Sequence, residues 1–138
     1  MKLRRGAFLT MGLAFAAVAA AADIDGTAPL TCTPTAGHDC TPANAQCSKL
    51  KSQTKGVGDV RIDFANKTVK TPYRTDLLPI QNSASNAEQL IMQGTDLKFA
   101  WSAIVNRKTG AMNLAIADRT GAYVIFGQCK VASAAATP

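Results

Sequence analysis

Apolar and polar residues alternate over several short segments of the chain, and turn residues separate these segments. Residues 59–64 read DVRIDF, in which Val60, Ile62 and Phe64 alternate with charged residues. This period of two predicts a β-strand with one face against the core. A turn at 65–67 and a partner strand at 68–71 follow. Similar alternation predicts strands at 88–93, 97–105, 112–117 and 123–126.

The longest predicted strand, 97–105, has one apolar face, formed by Leu97, Phe99, Trp101, Ala103 and Val105. We therefore expect Trp101 to anchor the core and not to form a ligand platform. The segment 77–81 contains Pro79, which cannot donate to a β-ladder, so a strand there belongs at an edge or a bulge. Polar residues at 82–86 predict a loop, and 94–96 predicts a turn that begins with Gly.

Two similar motifs, NRKTG at 106–110 and DRTG at 118–121, flank the strand predicted at 112–117. In a meander they lie at opposite ends of that strand, roughly 20 Å apart for six residues at 3.3 Å each. They are interpreted as turns, in which Asn106 and Asp118 bond the backbone and Gly110 and Gly121 take a positive φ.

Arg107 and Arg119 in these turns therefore cannot hold one ligand. They remain candidate interaction residues, together with Tyr73 and Arg74 on the loop beside Pro72, because Arg and Tyr are enriched at interfaces.

The first 22 residues have the pattern of a secretory signal peptide. Lys2, Arg4 and Arg5 precede an apolar run at 7–22 that ends in small residues before Asp23. The run is shorter and richer in Ala than a membrane-spanning helix. We expect cleavage after Ala22 or a nearby Ala, by ordinary secretion and not the twin-arginine route. The mature protein should be periplasmic or secreted, without a stable membrane anchor.

The mature chain carries less charge than the full sequence indicates. The chain has 15 basic and 9 acidic residues. Cleavage of the signal segment removes three basic residues, which leaves a formal charge of +3. The remaining basic residues are scattered and lack interleaved aromatic residues, so we expect no nucleic-acid partner.

Four cysteines in an exported chain imply two disulfides, with three pairings open. Cys32, Cys40 and Cys47 lie in 23–58, a segment rich in Thr, Pro, Ala, Gly and Ser, and Cys129 lies near the end. That segment predicts an irregular arm with a short strand at 30–33. His38 beside these cysteines could form a zinc or copper site, but thiols are normally oxidised outside the cytoplasm. We expect no metal and no cofactor.

No complete catalytic set is evident in the sequence. The chain has one histidine, His38, and lacks a G-x-S-x-G motif, a phosphate loop and a dinucleotide fingerprint. Asp59 and Asp63 fall on the outward face of their strand, too exposed for a raised carboxyl pKa. We therefore predict that the protein is not an enzyme, and a hydrolase built on Asp59, Asp63 and His38 is kept as an alternative.

The chain resembles a family of uncharacterised small exported bacterial proteins, of the proteobacterial type, with two disulfides. The resemblance rests on ADIDGTAPLTC, HDCTPANAQC, VRIDFANKTV, LIMQG, AWSAIVNRKTG and YVIFGQCK, and it covers most of the mature chain. It implies the pairs Cys40–Cys47 and Cys32–Cys129, and no activity or substrate. The linker at 49–57 is longer here than in similar proteins.

Together these observations predict an all-β domain, a small antiparallel barrel or curved sheet at 59–130. The irregular, disulfide-pinned arm at 23–58 belongs to the same domain, and 131–138 is expected to be a flexible tail. The favoured function is non-catalytic binding of a protein or envelope macromolecule, as an inhibitor or accessory subunit. The second alternative is a carrier of a small apolar ligand inside the barrel, since many small Ala residues accompany Leu and Met in the last strands.

Overall fold

The computed structural model describes residues 23–43, 46–50, 58–72 and 75–132. This part of the chain forms ten β-strands and no helix, which confirms the all-β prediction. The strands are β1 Leu30–Thr41, β2 Gln46–Lys49, β3 Val60–Asp63, β4 Thr68–Lys70, β5 Leu78–Pro79, β6 Asn82–Ser85, β7 Gln89–Asp96, β8 Phe99–Asn106, β9 Ala111–Asp118 and β10 Ala122–Val131. The predicted signal segment and residues 133–138 of the predicted tail lie outside the described residues.

All ten strands belong to one antiparallel sheet that curls strongly into a barrel-like shape. The order is β5-β4-β3-β1-β10-β9-β8-β7-β6, and β2 pairs with the C-terminal part of β1. Two neighbouring residues after β5 join the two sides of the curled sheet. The amide of Ile80 donates to Lys67 O on one side at 2.8 Å, and that of Gln81 donates to Gln93 O on the other at 2.9 Å.

The concave side of the sheet holds the core. Along β8 the burial alternates strictly, so that Phe99, Trp101, Ala103 and Val105 are buried. Trp101 is 5% exposed, which confirms it as a core residue. Leu97 was predicted on the same face, but it lies in the two-residue turn after β7 and is fully exposed. The prediction was wrong because the apolar alternation continues past the point where β7 and β8 stop pairing.

β1 is the largest departure from the predicted irregular arm. The strand runs from Leu30 to Thr41, whereas the sequence predicts only 30–33. It pairs with β10 along most of its length, and the register shifts between Pro34 and Ala36. A bulge accommodates Pro34, which has no amide hydrogen to donate. Pairing with β10 therefore supplies the order that the Thr- and Pro-rich sequence does not signal.

Two further boundaries differ from the prediction. Residues 82–85 of the segment predicted as a loop form β6, an edge strand whose four residues are all exposed, so it has no apolar alternation to detect. Gly94 lies inside β7 and not in a turn. It is opposite Trp101 across the strand pair, where a Cβ on Gly94 would be 2.6 Å from Trp101 Nε1. Glycine is required here for close packing, and the true turn follows at 97–98.

The two disulfides join directly opposed residues of neighbouring strands. Cys32 on β1 bonds Cys129 on β10, and Cys40 on β1 bonds Cys47 on β2. This pairing agrees with the one that the family resemblance implies. Disulfides persist in oxidising compartments, so the pair indicates an extracytoplasmic environment. The described residues include no helix long and apolar enough to cross a membrane.

Candidate interaction surface

The two repeated motifs are turns, as predicted. Asn106 Oδ1 accepts hydrogen bonds from the amides of Lys108 and Thr109 at 3.0 and 2.8 Å. Asp118 Oδ1 accepts from the amides of Thr120 and Gly121 at 2.7 and 3.0 Å. Gly110 has φ 75°, whereas Gly121 does not adopt a positive φ. The prediction for Gly121 was wrong because its constraint is space: a Cβ there would lie 2.6 Å from Cys40 O.

Arg107 and Arg119 lie at opposite ends of β9, and their surroundings differ. The guanidinium of Arg107 donates to Ile24 O at 2.9 Å and to Asn86 O at 2.6 Å, and forms an ion pair with Asp23 at 2.9 Å. Arg107 therefore fastens the N-terminal segment to the sheet and has little capacity left for a partner. Arg119 is exposed beside Leu97 at the opposite end. Tyr73 and Arg74 lie outside the described residues.

The residues of the hydrolase alternative are not brought together. Asp59 accepts a hydrogen bond from Thr33 Oγ1 at 2.6 Å. Thr33 is five residues from His38 along β1, which separates Asp59 from His38 by about 17 Å. Asp63 is farther away, at the other end of β3, where it accepts two bonds from Asn66. These bonds hold the pKa of Asp63 below 3.8, the reverse of what a general acid needs.

The cysteine sulfurs that could join His38 in a metal site are all committed to disulfides. Within the described ranges, no three His, Cys, Asp or Glu residues lie close enough together to hold a metal ion.

Sixteen outward residues of β7–β10, none of them charged, form a regular surface that we call the uncharged face. Each strand contributes four alternate residues, and strand pairing aligns them in four rows. The rows are Gln89-Asn106-Ala111-Gln128, Ile91-Ile104-Asn113-Phe126, Gln93-Ser102-Ala115-Val124 and Thr95-Ala100-Ala117-Ala122.

The uncharged face exposes more apolar surface than an ordinary solvated sheet. Ile104 is 39% exposed and Phe126 is 40% exposed, and Ala100, Ala115 and Ala117 are exposed on the same face. Solvent-facing strand positions are usually polar or charged. The nearest charges lie beyond the rows: Glu88 precedes Gln89, Lys130 is the next outward residue after Gln128, and Lys98 and Lys108 lie in turns at the strand ends. The face thus has an uncharged centre with charges at its rim, the charge distribution expected of a protein interface.

The size of the uncharged face also suits an interface. Four strands at about 4.8 Å spacing and eight residues at about 3.3 Å give roughly 19 by 26 Å, or about 500 Å². The outward residues of β6 and of β1, among them Ala84 and Ala36, continue the second row on both sides. Because β6 has only four residues, the area with these strands is about 700 Å², close to the roughly 800 Å² that each partner buries in a standard interface.

The alanines that motivated the carrier alternative lie on this outer face. Ala100, Ala111, Ala115 and Ala117 point outward, and Ala103 is the alanine of β8 and β9 that is buried. The described interior is filled by larger side chains such as Trp101, Met92 and Met112. The described residues therefore do not favour a ligand inside the sheet over a partner outside it.

No family model matches the chain, and searches of curated proteins and of solved structures found no similar protein. The resemblance to small exported bacterial proteins therefore stays a prediction.

The uncharged face was missed in the sequence because each strand was read separately. Outward positions of one strand, such as Ala100 and Ser102, look unremarkable alone. The strand predicted at 97–105 includes Lys98 among its outward positions, so the uncharged rows are seen only when the observed strand bounds and register align the outward residues. That alignment needs the register, which the sequence does not give.

Proposed function

We propose that the mature protein is a non-catalytic binding protein of the periplasm or the secreted fraction. It docks a protein partner on the uncharged face, as an inhibitor or an accessory subunit. The signal-peptide pattern supports export, and the two disulfides support an oxidising compartment.

The observation that carries the proposal is the absence of charge from four aligned rows of outward side chains. Removing a charged side chain from water is costly, so a surface that becomes buried on binding is depleted of charge at its centre. A surface that stays in water has no such constraint. Small side chains also let a partner approach the outer surface of the strands closely, and Ile104 and Phe126 supply apolar anchors.

A charge placed at the centre of the uncharged face tests the proposal. Ala115 is exposed between Ser102 and Val124, so Ala115→Arg should fold and should disrupt docking. Ala65 is an exposed alanine in the β3–β4 turn, so Ala65→Arg is the matched control. Each protein is used as bait in the extracytoplasmic fraction of the host, and enriched proteins are quantified by mass spectrometry.

We expect a protein that wild type and Ala65→Arg enrich alike and that Ala115→Arg enriches at least tenfold less. This loss corresponds to about 1.4 kcal/mol or more of binding free energy. If Ala115→Arg captures the same proteins in the same amounts, the uncharged face is not the docking surface.

A further inference from the structure

Three cations lie in one line across the outer side of β10, β1, β3 and β4, beside the first row of the uncharged face. Lys130 is opposite Thr31, Thr31 is opposite Arg61, and Arg61 is opposite Lys70. The three basic side chains are exposed. We call Lys130, Arg61 and Lys70 the basic row. It crosses three strand spacings, or about 15 Å.

The fold itself does not explain the basic row. Arg61 and Lys70 are directly opposed on neighbouring strands, where like charges destabilise a sheet. Within the described part of the chain, no ion pair joins Lys130, Arg61 or Lys70 to a carboxylate. The closest acids, Asp59 and Asp63, accept hydrogen bonds from Thr33 and Asn66 instead.

The position of the basic row relates it to the uncharged face. On β10, Lys130 is the next outward residue after Gln128, and on β1, Thr31 is the next after Thr33, the neighbour of Gln128. The basic row therefore borders the uncharged face directly. A partner that covers the face meets these three cations at its edge.

We propose that the partner of the uncharged face is a protein with a line of acidic side chains at the edge of its contact surface, which faces Lys130, Arg61 and Lys70. This inference rests on the proposed function. Complementary charges at the rim of an interface accelerate encounter and fix the orientation of the two proteins. They also compensate for the repulsion between Arg61 and Lys70.

A protein fits the basic row better than an anionic polymer or an anionic lipid surface. Asp59, immediately before β3, and Asp63, at the end of β3, flank Arg61 along the chain, so acids alternate with the central cation. A uniform polyanion would be repelled by both acids. A folded protein can place separate carboxylates against the cations and leave the acids solvated.

The test compares two double variants with the same change in net charge. Lys70→Glu with Lys130→Glu reverses the ends of the basic row. Lys49→Glu with Lys98→Glu, which lie at other edges of the uncharged face and away from the basic row, is the control for charge reversal elsewhere at the rim. Association rates are measured with the purified protein that wild type captures through the uncharged face, at about 20 mM and about 150 mM salt. Binding to vesicles of phosphatidylglycerol and phosphatidylethanolamine is measured in parallel.

We expect reversal of the basic row to slow association about tenfold more than the control at low salt, with a smaller difference at high salt. A zero-length carbodiimide cross-linker should join Lys70 or Lys130 to Asp or Glu of the partner. Equal rates for the two double variants would overturn the inference and leave the docking proposal standing. If wild type binds the vesicles and the Lys70→Glu, Lys130→Glu variant does not, the inference is also overturned, in favour of a lipid surface. If wild type captures no protein through the face, both proposals fail.

Discussion

Replacement of Gly94 by alanine is the sharpest test of the packing inside the curled sheet. Gly94 lies in β7 against two parts of the fold at once. A Cβ at this position would be 2.1 Å from Pro79 O, 2.6 Å from Trp101 Nε1 and 2.9 Å from Trp101 Cε2. Because Pro79 O belongs to the backbone, no rotamer change on that side can make room. Either the Trp101 ring or the segment after β5 must move.

The expected loss of stability follows from what must move. Overfilling a packed core costs about 1–3 kcal/mol. Moving Pro79 also disturbs the two backbone hydrogen bonds from Ile80 and Gln81 that join the two sides of the sheet. Each contributes about 1 kcal/mol net. Gly94→Ala should therefore lower the free energy of unfolding by about 3–5 kcal/mol, a large share of the roughly 5–15 kcal/mol typical of a domain.

Urea unfolding with the disulfides intact measures this loss, and Trp101 is the single tryptophan and a direct fluorescence probe. With a slope near 1.5–2 kcal/mol per M, the midpoint should fall by roughly 2 M. Gly58→Ala is the control, because a Cβ there would lie 3.6 Å from Pro72 Cβ, an ordinary contact. The control should change stability by less than about 0.5 kcal/mol. A similarly small effect of Gly94→Ala would refute the packing argument.

Two other predictions concern the disulfides and a turn carboxylate. From loop-closure entropy, replacing the Cys32–Cys129 pair, 97 residues apart, should destabilise the fold by about 4–5 kcal/mol, and replacing Cys40–Cys47, 7 apart, by about 2 kcal/mol. The reverse order in urea midpoints would contradict this reasoning. By NMR, the carboxyl group of Asp63 should titrate with a pKa below 3.8, and this pKa should rise in Asn66→Ala. Because the folded-state pKa is lowered, the stability from Asp63 is present above pH 3.8 and lost as the pH falls through that lowered pKa. An unchanged pKa in Asn66→Ala would exclude the turn as its cause.

The strands with one buried face were predictable from the sequence. The inward residues of β8 and β9, from Phe99 to Ile116, follow the predicted alternation and are buried or half-buried. Pro79 was correctly placed at the edge of the sheet, because a missing donor restricts it to an edge or a bulge. The turns at 106–110 and 118–121 were also correct, since their causes are local side-chain hydrogen bonds.

The strand predictions failed for segments that form strands because they pair with a neighbouring strand and not because of their own apolar alternation. β1 and β6 are rich in Thr, Ser, Pro and Ala, and neither has the periodicity of a half-buried strand. β1 is a strand because β10 pairs with it, and β6 because β7 does. The sequence places Gly94 in a turn, but glycine also occurs within strands where another group approaches the backbone closely. Tertiary packing decides between these two uses.

The interaction surface could be predicted least. The uncharged face combines four strands, and its rows exist only in the observed register. The basic row likewise joins Lys130 and Arg61, which are far apart in the sequence and are separated by one strand in the sheet. Residue type alone selected Arg107 as an interaction residue, but its guanidinium holds the N-terminal segment in place.

The most direct test of the account places a photo-cross-linking amino acid, benzoylphenylalanine, at Ser102 in the living host. Ser102 is exposed between Gln93 and Ala115 in the third row of the uncharged face. Lys67 in the β3–β4 turn is exposed outside that face and serves as the control position. The account predicts a discrete adduct with one partner protein from Ser102 and none from Lys67. Absence of an adduct from Ser102, or the same adduct from both positions, would contradict it.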